Sequence, residues 1–282
     1  MNSRTKYSDK DISTKTQHYL LKTAGFVIKI ILKPTEQIIF KRNMIQSIID
    51  TWGAEGFLKT TSSAKIDFEI KFEPTAGTMG ILEKRKGRDH YYLAVRRNIP
   101  SKQIIVYYFT SLPTLQILLK EILSFLVEKD GFLLHASSCQ DKNGKLKLFV
   151  ASSGGGKTTT ANSLAKGNVC LKFGDDIVIV RKIKGRWFYF SPPFIEKDAL
   201  PTKRQASKAE IYFIKKTKTA SKKVLANKGI VLKEILKQIW VSSEKLEKVT
   251  LINAISFVME NKFYLLGATL NVKAIQKLVY EN

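Results

Sequence analysis

Acidic side chains are scarce in this chain: 24 Asp and Glu stand against 48 Lys and Arg, a formal net charge of +24. A surplus of that size attracts nucleotides, acidic peptides or nucleic acid over long range. Specific nucleic-acid recognition is not supported, because neither zinc-finger spacing nor an RNA-binding aromatic motif is present. The basic residues are scattered, with one cluster at 203–223, and a lysine-rich proteome such as a thermophile's is the simpler account of them. Cysteine is nearly missing. Cys139 and Cys170 make neither a disulfide framework nor a metal site, and their apolar contexts mark them as buried thiols. Long apolar runs are missing too. Residues 117–127 come nearest, but Lys120 and Glu121 interrupt them, so no segment is expected to span a bilayer. Residues 1–16 are polar, without an apolar signal core, which predicts a disordered tail and a cytoplasmic protein. There is no internal repeat. No Leu-Ser-Gly-Gly-Gln-like segment occurs, which argues against an ABC-type transporter ATPase.

What is present centres on residues 148–180. An apolar run at 148–150 predicts the end of a buried strand, and it stops at Ala151-Ser152-Ser153-Gly154-Gly155-Gly156. Lys157 and Thr158 then open a helix, predicted over 159–166 and ended by Gly167. Strand, glycine loop, Lys-Thr and helix form the pattern of a phosphate-binding P-loop. Glycines let the backbone wrap closely round a polyphosphate, and the helix N-terminus adds its positive end. The predicted binding residues are Ser152, Ser153, Gly154, Gly155, Gly156, Lys157, Thr158 and Thr159. Lys157 is placed to reach the β- and γ-phosphates, and the Thr158 hydroxyl to ligate Mg²⁺. Ala151 stands where the strict pattern has its first glycine, which is tolerable if the backbone there needs no positive φ. The alternative is a glycine-rich turn with an accidental Gly-Lys-Thr.

A second strand is predicted at 169–173, followed by Gly174-Asp175-Asp176 and a third strand at 177–180. As a parallel neighbour of the glycine-loop strand, the second would bring the two acids to the phosphates. Adjacent strand residues face opposite ways, so both acids reach one site only if the chain bends at Gly174. One acid would then hold Mg²⁺ and the other face the attacking nucleophile. An Asp-Asp turn between strands is the plain alternative.

At 282 residues the chain can hold one large or two modest domains. Three regions are expected: a tail at 1–16, a strand-rich α+β region at 17–110, and a catalytic region at 111–282. The middle region is predicted to hold strands at 25–32, 66–72, 79–82, 90–95 and 104–109 and a helix at 37–52. His90 there reads as a surface strand residue. A helix at 111–128 follows, then a strand at 132–139 that a turn at 141–144 returns as a hairpin into the glycine-loop strand. His135 would lie on that strand, either as a packed core histidine or beside the acids. Further on, 197–209 and 215–223 read as basic loops and 211–214 as a strand. Helices are expected at 231–240, 245–260 and 272–280, with a strand at 263–266.

Leu133-Leu134-His135-Ala136-Ser137, the glycine loop 151–158 and Gly174-Asp175-Asp176, in that order, resemble the catalytic domain of HPr kinase/phosphorylase and its stand-alone relatives, which include kinases of ribosomal-peptide biosynthesis clusters. The resemblance covers about 130–215. It implies an α/β P-loop kinase domain of the HPr kinase/PEP carboxykinase-like type, with a mixed sheet, preceded here by the smaller strand-rich region. It implies Asp175 as the base on an acceptor hydroxyl, Asp176 as a metal ligand, His135 beside the acids, and ATP and Mg²⁺ as cofactors. The implied partner is a peptide or protein carrying an acceptor serine or threonine, and the oligomeric precedent of the family leaves a homo-oligomer open. Thr158-Thr159 stands where the bacterial protein kinases commonly have Ser-Glu, which puts the reverse, phosphate-removing activity in question. Arg204 is a candidate for stabilising transition-state charge in cis, against the plainer reading of a solvated loop residue. Two other functions stay open: a nucleotide-dependent binding module that recruits an acidic partner or nucleic acid, and a kinase for a small molecule such as free serine.

Overall fold

The computed structural model describes residues 16–32, 58–59, 65–73, 82–85, 91–98, 101–107, 112–167, 169–193, 204–241, 248–269 and 271–280. The predicted tail apart from residue 16, the helix at 37–52, residues 79–81, His90 and residues 194–203 lie outside them. The chain divides into two compact units, one made mostly of residues before 116 and the other of residues 116–282.

The first unit is a seven-stranded sheet. Its strands are β1 (Gln17–Thr23), β2 (Phe26–Leu32), β3 (Leu58–Lys59), β4 (Phe68–Glu73), β5 (Leu82–Arg85), β6 (Tyr91–Asn98) and β7 (Gln103–Tyr107), in the order β3-β1-β2-β4-β7-β6-β5. The pairs β2–β4 and β4–β7 are parallel, and β6–β7 is antiparallel. The alternation read at 66–72 takes effect in β4, where Phe68, Ile70 and Phe72 are buried while Glu69 and Lys71 are not.

The second unit carries two sheets and most of the helices. Helix α1 (Leu112–Val127) leads to β8 (Gly131–Leu134), β9 (Ser137–Asp141), β10 (Leu146–Val150), helix α2 (Lys157–Lys166), β11 (Cys170–Gly174), β12 (Val178–Ile183) and β13 (Arg186–Phe190). Then come β14 (Gln205–Ala206), β15 (Ala209–Lys216), β16 (Ser221–Val224), α3 (Lys228–Leu236), β17 (Ile239–Trp240), α4 (Lys248–Glu260), β18 (Phe263–Ala268) and α5 (Val272–Tyr280). The six-stranded sheet runs β11-β9-β10-β15-β18-β16 and the five-stranded sheet β14-β13-β12-β8-β17. The six-stranded sheet is mixed and the five-stranded sheet antiparallel, and with the helices they make an α/β fold.

Strand β10 shows why this sheet is central. Leu146, Leu148 and Val150 join a core with the five-stranded sheet, α3 and α4. Phe149, one step out of phase, joins a second core with Ala161 and Leu164 of α2 and Ile275 and Val279 of α5. A strand buried on both faces reads as a continuous apolar run, which is how 148–150 reads. In the first core Phe257 of α4 meets Phe132, Trp187 and Phe263 edge-on, at centroid distances of 5.4, 5.1 and 5.8 Å.

Several expectations need correction. Residues 132–139 are not one strand: β8 and β9 belong to different sheets, and His135-Ala136 is the crossing between them. Strand β11 is not the neighbour of β10. Strand β9 lies between and pairs antiparallel with both, so β10 and β11 still run the same way. The basic stretch 215–223 is the end of β15, a turn and β16. The helix expected at 231–240 begins earlier, capped by Asn227 Oδ1 accepting from the Ile230 N–H at 3.1 Å, and gives way to β17.

One polar network sits within the second core. Lys147 is 3% exposed, and its Nζ donates to Glu210 Oε2 at 2.5 Å and to the Val279 carbonyl at 3.0 Å. Lys145 and the Tyr212 hydroxyl donate to the same carboxylate at 2.7 and 2.6 Å. Burial alone would raise the Glu210 pKa, but the hydrogen bonds from Lys145, Lys147 and Tyr212 outweigh it and bring it down to about 2 from 4.5. A depressed carboxylate stabilises the fold fully above its ordinary pKa, and that contribution is lost as pH falls toward 2. Glu210→Gln is expected to cost about 1–2 kcal/mol at pH 7, a figure discounted for the solvent that reaches Lys145. It should also flatten the acid limb below pH 4.5. Urea midpoints at pH 7, 4 and 3 check this; equal losses on acidification in both proteins would refute it.

Candidate functional site

Four strands that run the same way end at one edge of the six-stranded sheet. β10–β15 and β15–β18 are parallel pairs, and β11 matches them through β9. Their C-terminal ends deliver, in spatial order, Asp175-Asp176, the glycine loop, Lys216-Thr217 and Ala268-Thr269. Strand β9 runs the other way, so its beginning, with His135 and Ser137, reaches the same edge. A ligand-binding crevice beyond the carboxyl ends of parallel strands is the usual outcome of such an arrangement. Here it is a cavity of about 990 Å³ lined by residues from all of these segments.

The glycine loop joins β10 to α2. Gly156 is the N-cap of α2, with φ of 97° and no side-chain hydrogen bond, so no cap competes for the first-turn N–H groups. Those groups and the positive end of the helix favour an anion there. Gly155 approaches Ala151 closely: a Cβ on it would lie 2.6 Å from the Ala151 Cβ and 2.9 Å from the Ser152 carbonyl oxygen. Among the described residues the non-glycine positions with positive φ are Ala24, Lys102 and Lys184, so Ala151 meets the condition its departure from the pattern imposed.

Lys157 Nζ donates to the Ala151 carbonyl at 2.8 Å and the Ser152 carbonyl at 3.3 Å, so the lysine folds back along its own loop. Burial lowers its pKa, and the Asp176 charge opposes that. Thr158 Oγ1 lies 3.1 Å from Ser137 Oγ. The stem of Lys216 runs past the loop, with Cε 3.9 Å from where a Cβ on Gly156 would sit.

The two acids lie beyond the end of β11, in a bend. The β9–β11 register slips between Lys172 and Gly174, so the chain turns where the alternation argument required it to. Ser137 Oγ donates to the Asp175 backbone carbonyl at 2.5 Å, and Lys172 Nζ donates to Asp175 Oδ2 at 2.9 Å. Asp176 is held from two sides: His135 Nε2 lies 3.2 Å from Oδ1, and Lys120 of α1 bonds Oδ2. The hydrogen bond from His135, with the Lys120 charge, overcomes burial and keeps the Asp176 carboxyl well below the usual carboxylate range.

Of the residues singled out in the sequence, Ser153, Gly154, Gly155, Gly156, Lys157, Thr158, Thr159, His135, Asp175 and Asp176 line the cavity. Ser152 and Arg204 are not among the lining residues; the Arg204 carbonyl accepts from the Ser191 N–H beside the β13–β14 pair. Burial lowers the Arg204 pKa. Ser137, Lys120, Lys172 and Lys216 were not foreseen. Lys120 and Lys172 each carried a signal, a lone cation inside an otherwise apolar helix or strand, which asks for a buried partner.

Thr158 and the two carboxylates are hard oxygen donors of the kind Mg²⁺ takes together with phosphate oxygens. Among the described residues no group of three or more His, Cys, Asp or Glu could hold a metal ion. No described helix is long and apolar enough to cross a membrane.

No protein-family model matches the chain, and no curated protein matches it. A solved structure described as the Hpr(Ser) kinase/phosphatase from Coxiella burnetii overlaps 53% of this chain and 94% of its own, with 9% identity and a TM-score of 0.33. An overlap at that level establishes neither fold nor function.

Proposed function

We propose that the second unit is an ATP- and Mg²⁺-dependent phosphotransferase acting on a serine or threonine hydroxyl of a peptide or protein. The observation that carries this reading is the meeting, in one cavity, of an uncapped helix N-terminus with its lysine and a pair of carboxylates backed by His135. In this reading the glycine loop and the N-terminus of α2 bind the phosphates, and Lys157 swings from the loop carbonyls onto the β- and γ-oxygens. Thr158 and Asp176 would hold Mg²⁺, which would supply charge neutralisation to the transferring phosphoryl group. Asp175 takes the proton of the acceptor hydroxyl as its oxygen forms the new bond to phosphorus and the bond to the ADP oxygen breaks. Little covalent help is needed, because phosphoryl transfer depends mainly on positioning and electrostatics. Residues 111–282 form the catalytic domain in this proposal and residues 17–110 bind the acceptor. The +24 charge favours an acidic acceptor.

Incubating the full chain with γ-labelled ATP, Mg²⁺ and the proteins encoded beside its gene tests the proposal. Label on serine or threonine, absent with Asp175→Asn, is the expected result. ATP retention with no label in any acceptor would instead favour a nucleotide-dependent binding module, and competition by free serine would favour a small-molecule kinase.

A further inference from the structure

Lys172 sits inside β11 with its side chain 4% exposed, a burial that lysine rarely accepts without a partner. The register slip after it folds the chain back, so residue 175 returns over residue 172 and the ammonium meets Asp175 Oδ2 at 2.9 Å. Ser137 fixes the backbone of residue 175 through its carbonyl, but its hydroxyl is 3.4 Å from Asp175 Oδ1, at the limit of a hydrogen bond. The carboxylate lies in a bend, where no strand neighbour dictates its rotamer. A charge-assisted bond is strong and directional enough to do so. It engages Oδ2, leaving lone pairs of Oδ1 for an incoming proton. Two other lysines have different duties: Lys120 bonds Asp176, and Lys157 bonds the glycine loop.

We propose that Lys172 is a positioning residue whose ammonium holds the Asp175 carboxylate toward the acceptor hydroxyl. It acts on transfer through Asp175 and not on the nucleotide. The inference rests on the reading of Asp175 as the base, and the test separates the two.

The test is a double-mutant cycle in the full chain: Lys172→Met, Asp175→Asn and both together, with Lys172→Arg as the conservative variant. Phosphate release from γ-labelled ATP with Mg²⁺ is followed to water and to peptide acceptors. Lys172→Met is expected to lower the rate about 100-fold, the scale of a misplaced reacting group, and to leave the KM and Kd for ATP within about twofold. Lys172→Arg should recover about tenfold of that loss, since the charge returns in a different shape. In the Asp175→Asn background, Lys172→Met should cost less than about threefold, because residues acting as a unit are not additive. The same factor in both backgrounds, or a parallel loss of ATP affinity, would mean that Lys172 acts on the nucleotide and would overturn the inference. So would a normal rate for Lys172→Met beside a dead Asp175→Asn. A normal rate for Asp175→Asn would overturn the reading of Asp175 instead. Thermal unfolding decides the clamp without any turnover. Asp175→Asn strands a buried ammonium and should lower the Tm, and adding Lys172→Met should raise it again. Additive Tm changes around the cycle would refute the clamp.

Discussion

Asp175→Asn is expected to reduce phosphate transfer by about 10²- to 10⁴-fold, the range over which a positioned base contributes. ATP binding should stay within about twofold, because catalytic groups act on the transition state. The substitution is close to isosteric. The Ser137 bond is to the backbone, so the bend after β11 keeps its shape, although the Lys172 ammonium loses its counter-charge. What is lost is the negative charge that takes the proton. Transfer rates and calorimetric titration with ATP, measured on the same preparation, check both halves. A normal rate would refute the role given to Asp175. A lost rate together with lost ATP binding would show that the variant had disturbed the cavity as a whole.

The features legible in the sequence are those decided by neighbours along the chain. The glycine loop is one: β10, the turn and α2 lie within 21 residues, and each step has a local cause. The bend at Gly174 is another, since two adjacent acids at the end of a strand cannot share a site without it. The break at His135 was not legible. Leu133-Leu134-His135-Ala136 looks like continuous strand, and only pairing to Val178 and Ile239 on one side and Phe149 on the other splits it between sheets. Strand order was hidden for the same reason: β9 inserts between β10 and β11 through contacts that no local pattern encodes. The ion pairs were half visible. Lys120 interrupts the apolar stretch of α1 and Lys172 that of β11, so each announced an unusual demand. Their partners, 56 residues away for Lys120 and three for Lys172 across a bulge, are set by tertiary folding.

Lys157→Met should weaken ATP binding about 100-fold, with a matching fall in transfer at fixed ATP, as expected for loss of a desolvated, charge-assisted contact worth about 3 kcal/mol. Methionine keeps the length and apolar stem of lysine, so the buried first turn of α2 stays filled. The Ala151 and Ser152 carbonyls lose a donor, but the Gly155 N–H still bonds the Ser152 oxygen at 3.0 Å and holds the loop closed. Burial already lowers the Lys157 pKa, so its ammonium pays a desolvation cost that a phosphate would offset. Lys157→Arg should not restore binding. A planar fork does not reproduce the compact point charge that donates to the Ala151 and Ser152 carbonyls. Titration with a fluorescent ATP analogue at fixed Mg²⁺ measures the effect, and a Tm close to the parent's shows that the fold is intact. An unchanged ATP titration would remove Lys157 from the phosphate site, and with it the reading of the glycine loop as a nucleotide cradle. A loss confined to transfer would make Lys157 a group that acts only in the transition state.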